Sequence, residues 1–594
     1  MPVSQSFTML FHELIGYFER LERSSGRLRM YSLIGDLFRR ATASEIAIVA
    51  YLCEGGLLPP WAGLETGIGE QMAIQAISAA AGQSVAQVRQ RYRKSGDLGI
   101  VVEQMLPPLR DTTLTVAGVY KEMREIARTA GGGSVTKKLG LLAGLLRRCS
   151  PREARYVLRF VTGKLRLGVG PLTILEGVAR SFPKSKGTRQ QLESAYNLCS
   201  DLGLVLKTAR LGGLTALKRF KTRIGTPVRA MMAERLPSAE AIIEKLGTCS
   251  VESKLDGFRC QIHVSKSRVE IFSRNLERTT SMFPDLVESA RKQLAGSRAI
   301  LDGEAVAVNR STGEFCPFQV TVQRKRKYRV AEMAREFPLR LFAFDLLHLN
   351  GRDYTAQPYE KRRKALETLL RRRGRLTPVE RIVARTPAQL QHFFDNQIER
   401  GLEGIIAKRL DAPYAAGARN FNWIKLKQTY AGKLGDTRLY DAIDAVVVGY
   451  MRGRGTRARL GIGAVLVAAY DAKTDSFPTV AKVGSGLSEE EWVKLRHALD
   501  ACKLTSKPPR VRSRITPDVW TEPKYVVTVL ADQITRSPVH ACALAKDGFG
   551  LALRFPRFIG GIRDDKSAEQ ATTVREIEEL YAMGARTGKS ARRR

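Results

Sequence analysis

Acidic residues are scarce beside basic ones. The 594-residue chain holds 59 Asp and Glu against 98 Lys and Arg, a formal net charge of +39. A solvated surface needs charge, but not charge of one sign. The excess points to a polyanionic partner held through phosphate contacts and counterion release, with nucleic acid first and a membrane surface or an acidic protein as alternatives. Histidine and cysteine are scarce too, at six and eight residues. Cys53, Cys149, Cys199, Cys249, Cys260, Cys316, Cys502 and Cys542 include no Cys-x-x-Cys pair, which argues against a zinc site of the common kinds and against a disulfide framework. Reduced cysteines in an intracellular protein are the expectation. Long apolar runs are missing. None reaches membrane-spanning length, and the first residues lack the basic flank and apolar stretch of a secretory leader. A soluble protein with no membrane partner is expected.

What is present divides the chain by texture. At roughly 150 residues per domain, the length allows three or four domains. Residues 1–215 read as helices, with Met9, Leu10, Leu14, Tyr17, Phe18 and Leu21 at helical spacing and further apolar stripes at 34–38, 45–52, 72–81, 139–146 and 154–161. Within this part Arg159-Phe160-Val161-Thr162-Gly163-Lys164-Leu165-Arg166-Leu167-Gly168-Val169-Gly170 reads as a helix end entering a basic, glycine-rich loop suited to phosphate oxygens. Glycines 131–133 read as a plain loop. Near Gly225-Thr226-Pro227 the texture changes. From 216 to 430 strand-like runs such as 269–272, 299–301, 304–308 and 339–344 alternate with helices at 282–294 and 361–370. The basic clusters 324–327 and 371–373 read as solvated faces or as DNA contacts. From 431 to 580 short strands (445–450, 463–469, 525–530) and glycine-rich turns fit a small Greek-key barrel of the oligonucleotide-binding (OB) kind. Residues 581–594, ending in three arginines, read as a disordered basic tail. There Gly584-Ala585-Arg586-Thr587-Gly588-Lys589-Ser590 imitates a phosphate-binding loop, but its glycine spacing is one residue short.

One stretch organises the rest: Glu252-Ser253-Lys254-Leu255-Asp256-Gly257-Phe258-Arg259, followed by the alternating run Cys260-Gln261-Ile262-His263-Val264. Lys254 therefore falls at a strand edge, with Gly257 relaxing the backbone just after it. An amine there can act as a nucleophile once deprotonated, and burial or neighbouring cations lower a lysine's pKa. A surface lysine in a turn is the bland alternative. After Lys254 come Ser273-Arg274-Asn275, Asp302-Gly303-Glu304, Phe342-Ala343-Phe344-Asp345, Glu403-Gly404-Ile405-Ile406-Ala407-Lys408 and Trp423-Ile424-Lys425-Leu426-Lys427. Singly these read as a turn, a hairpin turn, a core aromatic, a strand with charged ends and a solvated lysine face.

In this order, after a Lys-x-Asp-Gly-x-Arg stretch, they resemble the motif set of the ATP-dependent DNA ligases. The resemblance covers nearly the whole chain, including 159–170 and Ala195–Gly203 in the helical part. It implies an all-α DNA-binding domain (1–215), an α+β nucleotidyltransferase domain (216–430) and an all-β OB-fold domain (431–580). It implies that Lys254 takes AMP from ATP, that AMP passes to a nick 5′-phosphate, and that the 3′-hydroxyl displaces it. Glu252 resembles the residue reading the adenine edge, Phe344 the stacking aromatic, and Arg259 and Arg419 nucleotide-contacting arginines. Arg274 resembles the ribose or 5′-phosphate contact, and Lys425 and Lys427 the phosphate-contacting lysines. Glu304 and Glu403 resemble the Mg²⁺-binding pair, with Glu304 also near the ribose.

In the barrel, Trp520, Pro523 and Thr535-Arg536-Ser537-Pro538-Val539-His540 fit, but Thr528 stands where a glutamate is frequent. Arg554-Phe555-Pro556-Arg557 resembles the last motif, which implies that Arg554 and Arg557 meet the departing pyrophosphate. Beyond it Gly560 and Gly561 replace a frequent basic residue, and the roles of Arg563 and Lys566 stay open. ATP, Mg²⁺ and nicked double-stranded DNA are the implied cofactors and partner. A sliding clamp stays open as a second partner, and a monomer is expected, cytoplasmic and nucleoid-associated in a prokaryote or otherwise nuclear. An RNA ligase or RNA-capping-type nucleotidyltransferase shares the lysine motif, and a non-catalytic DNA-binding relative would keep the fold.

Overall fold

The computed structural model describes residues 8–582 apart from 25, 96, 110–111, 166, 183–186, 267, 310–313, 317–319, 322, 327, 372–373, 428–441 and 454–459, with backbone alone at 94 and 583–590. Arg166, Lys327, Arg372 and Arg373 of the expected basic loops lie outside the described residues. Two units separate by their internal contacts: Met1–Tyr196 with Asp201–Phe220, and Asn197–Ser200 with Lys221–Arg594.

The first unit is built of helices, from Phe11–Glu22 to Leu202–Leu217. Pro151–Val161 shows why. Pro151 opens it, the Ser150 hydroxyl accepts from Glu153 N, and Glu153 returns a carboxylate to Ser150 N at 2.8 Å. This capping box satisfies two amide donors that a helix start leaves free. Ala154, Val157, Leu158 and Val161 then form its buried stripe.

The second unit begins with two sheets. One runs in the order Met232–Arg235, Arg419–Lys427, Gly404–Arg409, Cys249–Lys254, Arg381–Ala384. Ala239–Leu246 and Pro387–Glu399 cover one face of it through Ile242, Leu390 and Phe393, packed on Val251, Ile405 and Ala407. The other sheet runs Val269–Ser273, Phe258–Val264, Ala299–Ala307, Leu339–Leu349, Arg352–Asp353, with Leu376–Pro378 beside Leu339–Leu349. It is covered by Pro284–Gln293 and Tyr359–Leu369 through Leu286, Ala290 and Leu366. Leu255, Asp256 and Gly257 carry the chain from the first sheet to the second. A Cβ on Gly257 would lie 2.4 Å from the Ala305 carbonyl oxygen, so only glycine allows this crossing.

Two expectations are corrected here. Asp302-Gly303 is not a hairpin turn. Ala299–Ala307 runs through it as one strand, with register shifts against Leu339–Leu349 at Ile300/Leu301 and Asp302/Gly303. A Cβ on Gly303 would sit 2.9 Å from the Phe342 carbonyl, so the glycine serves close strand approach. The second correction is the tail. Residues expected to be disordered from 581 continue a helix, Val574–Ser590. Ile577 and Leu580, in the turns before 581, belong to the same buried cluster as Val465, Val467 and Val529 of the sheet-rich part, and residues 591–594 lie outside the described residues.

That sheet-rich part pairs Ile443–Met451 with Ala464–Ala468, Val519–Thr521 and Val526–Leu530, extends to Phe477–Val483, and adds Arg557–Ile562 beside Val526–Leu530. Gln533–Ser537 and Gly550–Arg554 form a separate antiparallel pair. All eight cysteines are free. Among the described residues no helix is long and apolar enough to cross a membrane.

Candidate active site

Residues opposite one another in a sheet share a face and alternate along each strand. Three such rows cross the first sheet. Ser250, Lys408 and Trp423 form one, Glu252, Ile406 and Lys425 the next, and Lys254, Gly404 and Lys427 the last. Lys254 is thus the end residue of its strand, with a side-chain-free neighbour opposite it and a lysine beyond. The rows form one wall of a cavity of about 390 Å³ whose other walls carry Arg259, Arg274, Glu304 and Phe344 of the second sheet and Asp444, Thr528, Arg563, Lys566 and Glu576 of the C-terminal part. All but two of the residues expected at the site line this one cavity.

Charge decides the local geometry. Glu403 pairs with both Lys254 and Lys427. Burial alone would raise its pKa, but the two ammonium groups outweigh burial and hold the carboxyl well below the usual range. Arg419 and Lys425 share the Glu576 carboxylate, Arg419 at 2.6 Å. Burial still pulls Lys425 down to about 8. Glu576 was no candidate in the sequence, where it lies in the short acidic run Arg575-Glu576-Ile577-Glu578-Glu579 outside every motif.

The second sheet is more heterogeneous. Arg259 was expected to contact a nucleotide, yet it donates to Asp302 at 2.7 and 3.1 Å, to the Met231 carbonyl at 2.7 Å and to Tyr414 at 3.2 Å. Its face lies 5.2 Å from the Phe344 ring centroid. It shapes the pocket through that face. Arg274 keeps an Nε sealed from solvent without a hydrogen-bond partner. Burial, with Arg259 and Arg419 nearby, lowers it to about 10. Phe344 stands edge-on to Trp423, centroids 5.8 Å apart. Three donors reach the Glu252 carboxylate: Tyr359 and Arg363, the latter at 3.2 Å, on Oε1 and Lys408 at 2.6 Å on Oε2.

Among the described residues Glu304 makes no ion pair or hydrogen bond through its side chain. Burial pushes it up to about 8, against the pull of Lys254 and Arg259. No group of three or more His, Cys, Asp or Glu able to hold a metal occurs among the described residues.

The two exceptions are Arg554 and Arg557. Both are exposed and neither lines the cavity. They bracket Phe555, which is 65% exposed and sits at φ +50°. The connection between Gly550–Arg554 and Arg557–Ile562 therefore points its cations outward, where Arg554 meets Gln533 and Arg557 meets Asp532 at 3.4 and 3.1 Å. Proximity in sequence to the barrel motif could not show which way that connection faces. The cations the C-terminal part does bring to the cavity are Arg563 and Lys566, gathered on Asp444, whose other neighbour is the Thr528 hydroxyl at 2.9 Å.

In the helical unit the expected phosphate loop is also partly committed. Arg159 is clamped by Asp97 and Glu22, each at 2.7 Å, and Lys164 lies 3.2 Å from the Tyr92 hydroxyl.

Comparison with known proteins gives matches along most of the chain. Residues 10–179 match the DNA ligase N terminus, 230–427 the ATP dependent DNA ligase domain, and 458–566 the ATP dependent DNA ligase C terminal region. A protein of Dictyoglomus turgidum named "Probable DNA ligase" is 48% identical over 574 residues, 96% of this chain and 97% of its own length. The DNA ligase of Hyperthermus butylicus is 42% identical over 97% of both chains, and that of Saccharolobus solfataricus 41% over 96% of this chain and 97% of its own.

Glu304 yields a test of the site's electrostatics. Its ordinary value is 4.5 and its folded value about 8. Between these pH values the folded protein retains a proton that the unfolded chain has lost, so stability declines as pH rises through that window. Thermal unfolding without nucleotide or divalent metal should show this decline in the wild type and a flatter profile for Glu304→Gln. Parallel profiles would mean that Glu304 ionises as an ordinary carboxylate.

Proposed function

The chain belongs to the ATP-dependent DNA ligases, and on that premise we propose that Lys254 is the residue adenylated by ATP and that the cavity around it performs nick sealing. The observation that supports this is the convergence on Lys254. It ends its strand at a cavity lined by Lys425, Lys427, Arg419 and Arg274 for phosphate oxygens and by Phe344 and Glu252 for a base. Lys254 Nζ gives up a proton to solvent and attacks the α-phosphorus of ATP. A P–N bond forms, and the bond to the pyrophosphate oxygen breaks. The DNA 5′-phosphate then takes AMP from the lysine, and the 3′-hydroxyl attacks the activated 5′-phosphorus with loss of AMP. Positioned cations absorb the charge on the transferring phosphoryl group. We read the central part as the nucleotidyltransferase domain and the sheet-rich part as an OB-type barrel, which supplies Arg563 and Lys566 to the cavity.

Glu304, a carboxyl lining the cavity with no cation bonded to it among the described residues, would be one ligand for a hard divalent cation. Mg²⁺ takes one or two carboxylates and completes its shell with phosphate and water oxygens, and it would supply positive charge at the phosphate. Glu403 is the second candidate ligand, reached once Lys254 or Lys427 turns to the nucleotide.

The DNA grip is read in two places. Arg554, Arg557 and exposed Phe555 offer phosphate contacts and an aromatic face on the barrel. In the helical unit, Lys121, Arg124, Arg128 and Lys137 line a groove of about 710 Å³ beside Gly132 and Gly133. One carboxylate, Glu125, lies among them. Lys121, Arg128 and Lys137 make no ion pair among the described residues, unlike Arg159. The loop read as plain in the sequence thus borders free cations.

Three outcomes are expected. Lys254→Arg keeps the charge but cannot deprotonate, so label from ATP should disappear from the protein while nicked DNA still binds. Label retained on this variant would refute the assignment. Glu576→Gln should lower KM for ATP in self-adenylation roughly fivefold, the scale of about 1 kcal/mol for one ordinary hydrogen bond, because the carboxylate no longer competes with phosphate for Arg419 and Lys425. Its melting temperature without nucleotide should fall. An unchanged KM would show that Glu576 does not sit on these cations when ATP arrives. Finally, affinity for nicked DNA should drop steeply with salt. Lys121→Ala and Lys137→Ala should each reduce the log–log salt slope by about 1 without slowing self-adenylation. An unaltered slope would make the groove a solvated face.

A further inference from the structure

The helix Tyr359–Leu369 belongs to none of the motifs, yet its first turns reach both sheets behind the cavity. The Tyr359 hydroxyl donates to Glu252 Oε1. One turn later Arg363 donates Nη1 to the same oxygen at 3.2 Å, with Nη2 on the Val379 carbonyl at 2.6 Å. Between them Arg362 pairs with Asp345 at 2.7 and 2.9 Å, both side chains fully buried. Asp345 directly follows Phe344. One helix therefore ties down the carboxylate on the first sheet and the aromatic strand on the second.

We infer that Tyr359 and Arg363 are positioning residues that fix the Glu252 carboxylate to accept the 6-amino group of adenine, so that this helix sets the enzyme's choice of base. The inference rests on the reading of Lys254 as the residue adenylated by ATP. A carboxylate offers about four acceptor sites. Tyr359, Arg363 and Lys408 occupy three, and their positions leave Glu252 one direction in which to accept. Two cations, Arg363 at 3.2 Å and Lys408 at 2.6 Å, lie in contact with it, although it is 2% exposed. Burial and the neighbouring carboxylate push the Tyr359 hydroxyl well up, so it stays a donor. A fixed acceptor favours an amino group and meets the 6-oxo group of guanine with an unpaired oxygen, a mismatch that costs more than a missing apolar contact. The alternative is an ion cluster that only holds the sheets together.

The two differ in whether the base matters. The full-length protein is assayed for formation of the Lys254 adduct with ATP and with purine riboside 5′-triphosphate, which lacks only the 6-amino group. The wild type should prefer ATP by at least about tenfold in kcat/KM. Tyr359→Phe should lose about tenfold with ATP and less than about twofold with the purine analogue. Arg363→Lys keeps a cation but loses the paired reach to Glu252 and Val379, and should show the same base-dependent loss. Melting temperatures are measured alongside. Equal losses with both nucleotides in the two variants, or no loss in either, would overturn the proposal even if one variant is less stable. A wild type indifferent to the 6-amino group would overturn it too, while ATP labelling of Lys254 left the ligase reading standing. No labelling of the wild type by ATP would overturn that reading instead.

Discussion

Lys254, Glu403 and Lys427 set the constraint on which the site depends. Two ammonium groups lie in one row of a sheet, separated by a glycine, in a cavity only partly open to water. Like charges in such surroundings repel, and Glu403 offsets this by pairing one carboxylate oxygen with Lys254 and the other with Lys427. The same residue lies in the chain next to Gly404, whose φ of +141° and closeness to the Leu426 carbonyl exclude a Cβ. Backbone and charge thus prepare one geometry together.

The other carboxylates of the cavity divide by burial. Asp302 and Glu252, almost wholly inaccessible, hold Arg259, Arg363 and Lys408 in place. Breaking such pairs leaves a buried charge unpaired, a loss of several kcal/mol, so they act as fixed framework. Glu576 differs because it belongs to the C-terminal helix, so its pairs with Arg419 and Lys425 join that helix to the first sheet instead of tying one central strand to another.

The surplus of basic residues is not concentrated in the cavity. Much of the cavity's positive charge is matched by Glu403, Glu576, Asp444 and Asp565. Lys121, Arg128 and Lys137, which make no ion pair among the described residues, stand instead on the helical unit, where they line a groove. This division suits an enzyme that must hold a duplex through many weak contacts and a nucleotide through a few strong ones.

The order of motifs from Glu252 to Lys427 was legible in the sequence because each is local. Strand alternation places Glu252 with Lys254, and Lys425 with Lys427, on one face whatever the rest of the chain does. The helical character of the front and the strand texture of the end follow from periodicity for the same reason. Local pattern could not reveal which partner each charge would find. Arg554 and Arg557 carry the right chemistry, but the turn at Phe555 faces them to solvent. Arg563 and Lys566, less regular in sequence, are brought to the cavity by the pairing of Arg557–Ile562 with Val526–Leu530 and by Asp444. Glu576, Tyr359 and Arg363 lie far along the chain from what they touch and carry no motif. Sequence thus determined the candidate chemical groups and the local elements bearing them. Only tertiary structure decided which charges are spent on one another and which remain for substrate, because Coulomb pairing depends on distance in space, and distances between remote segments are set by packing.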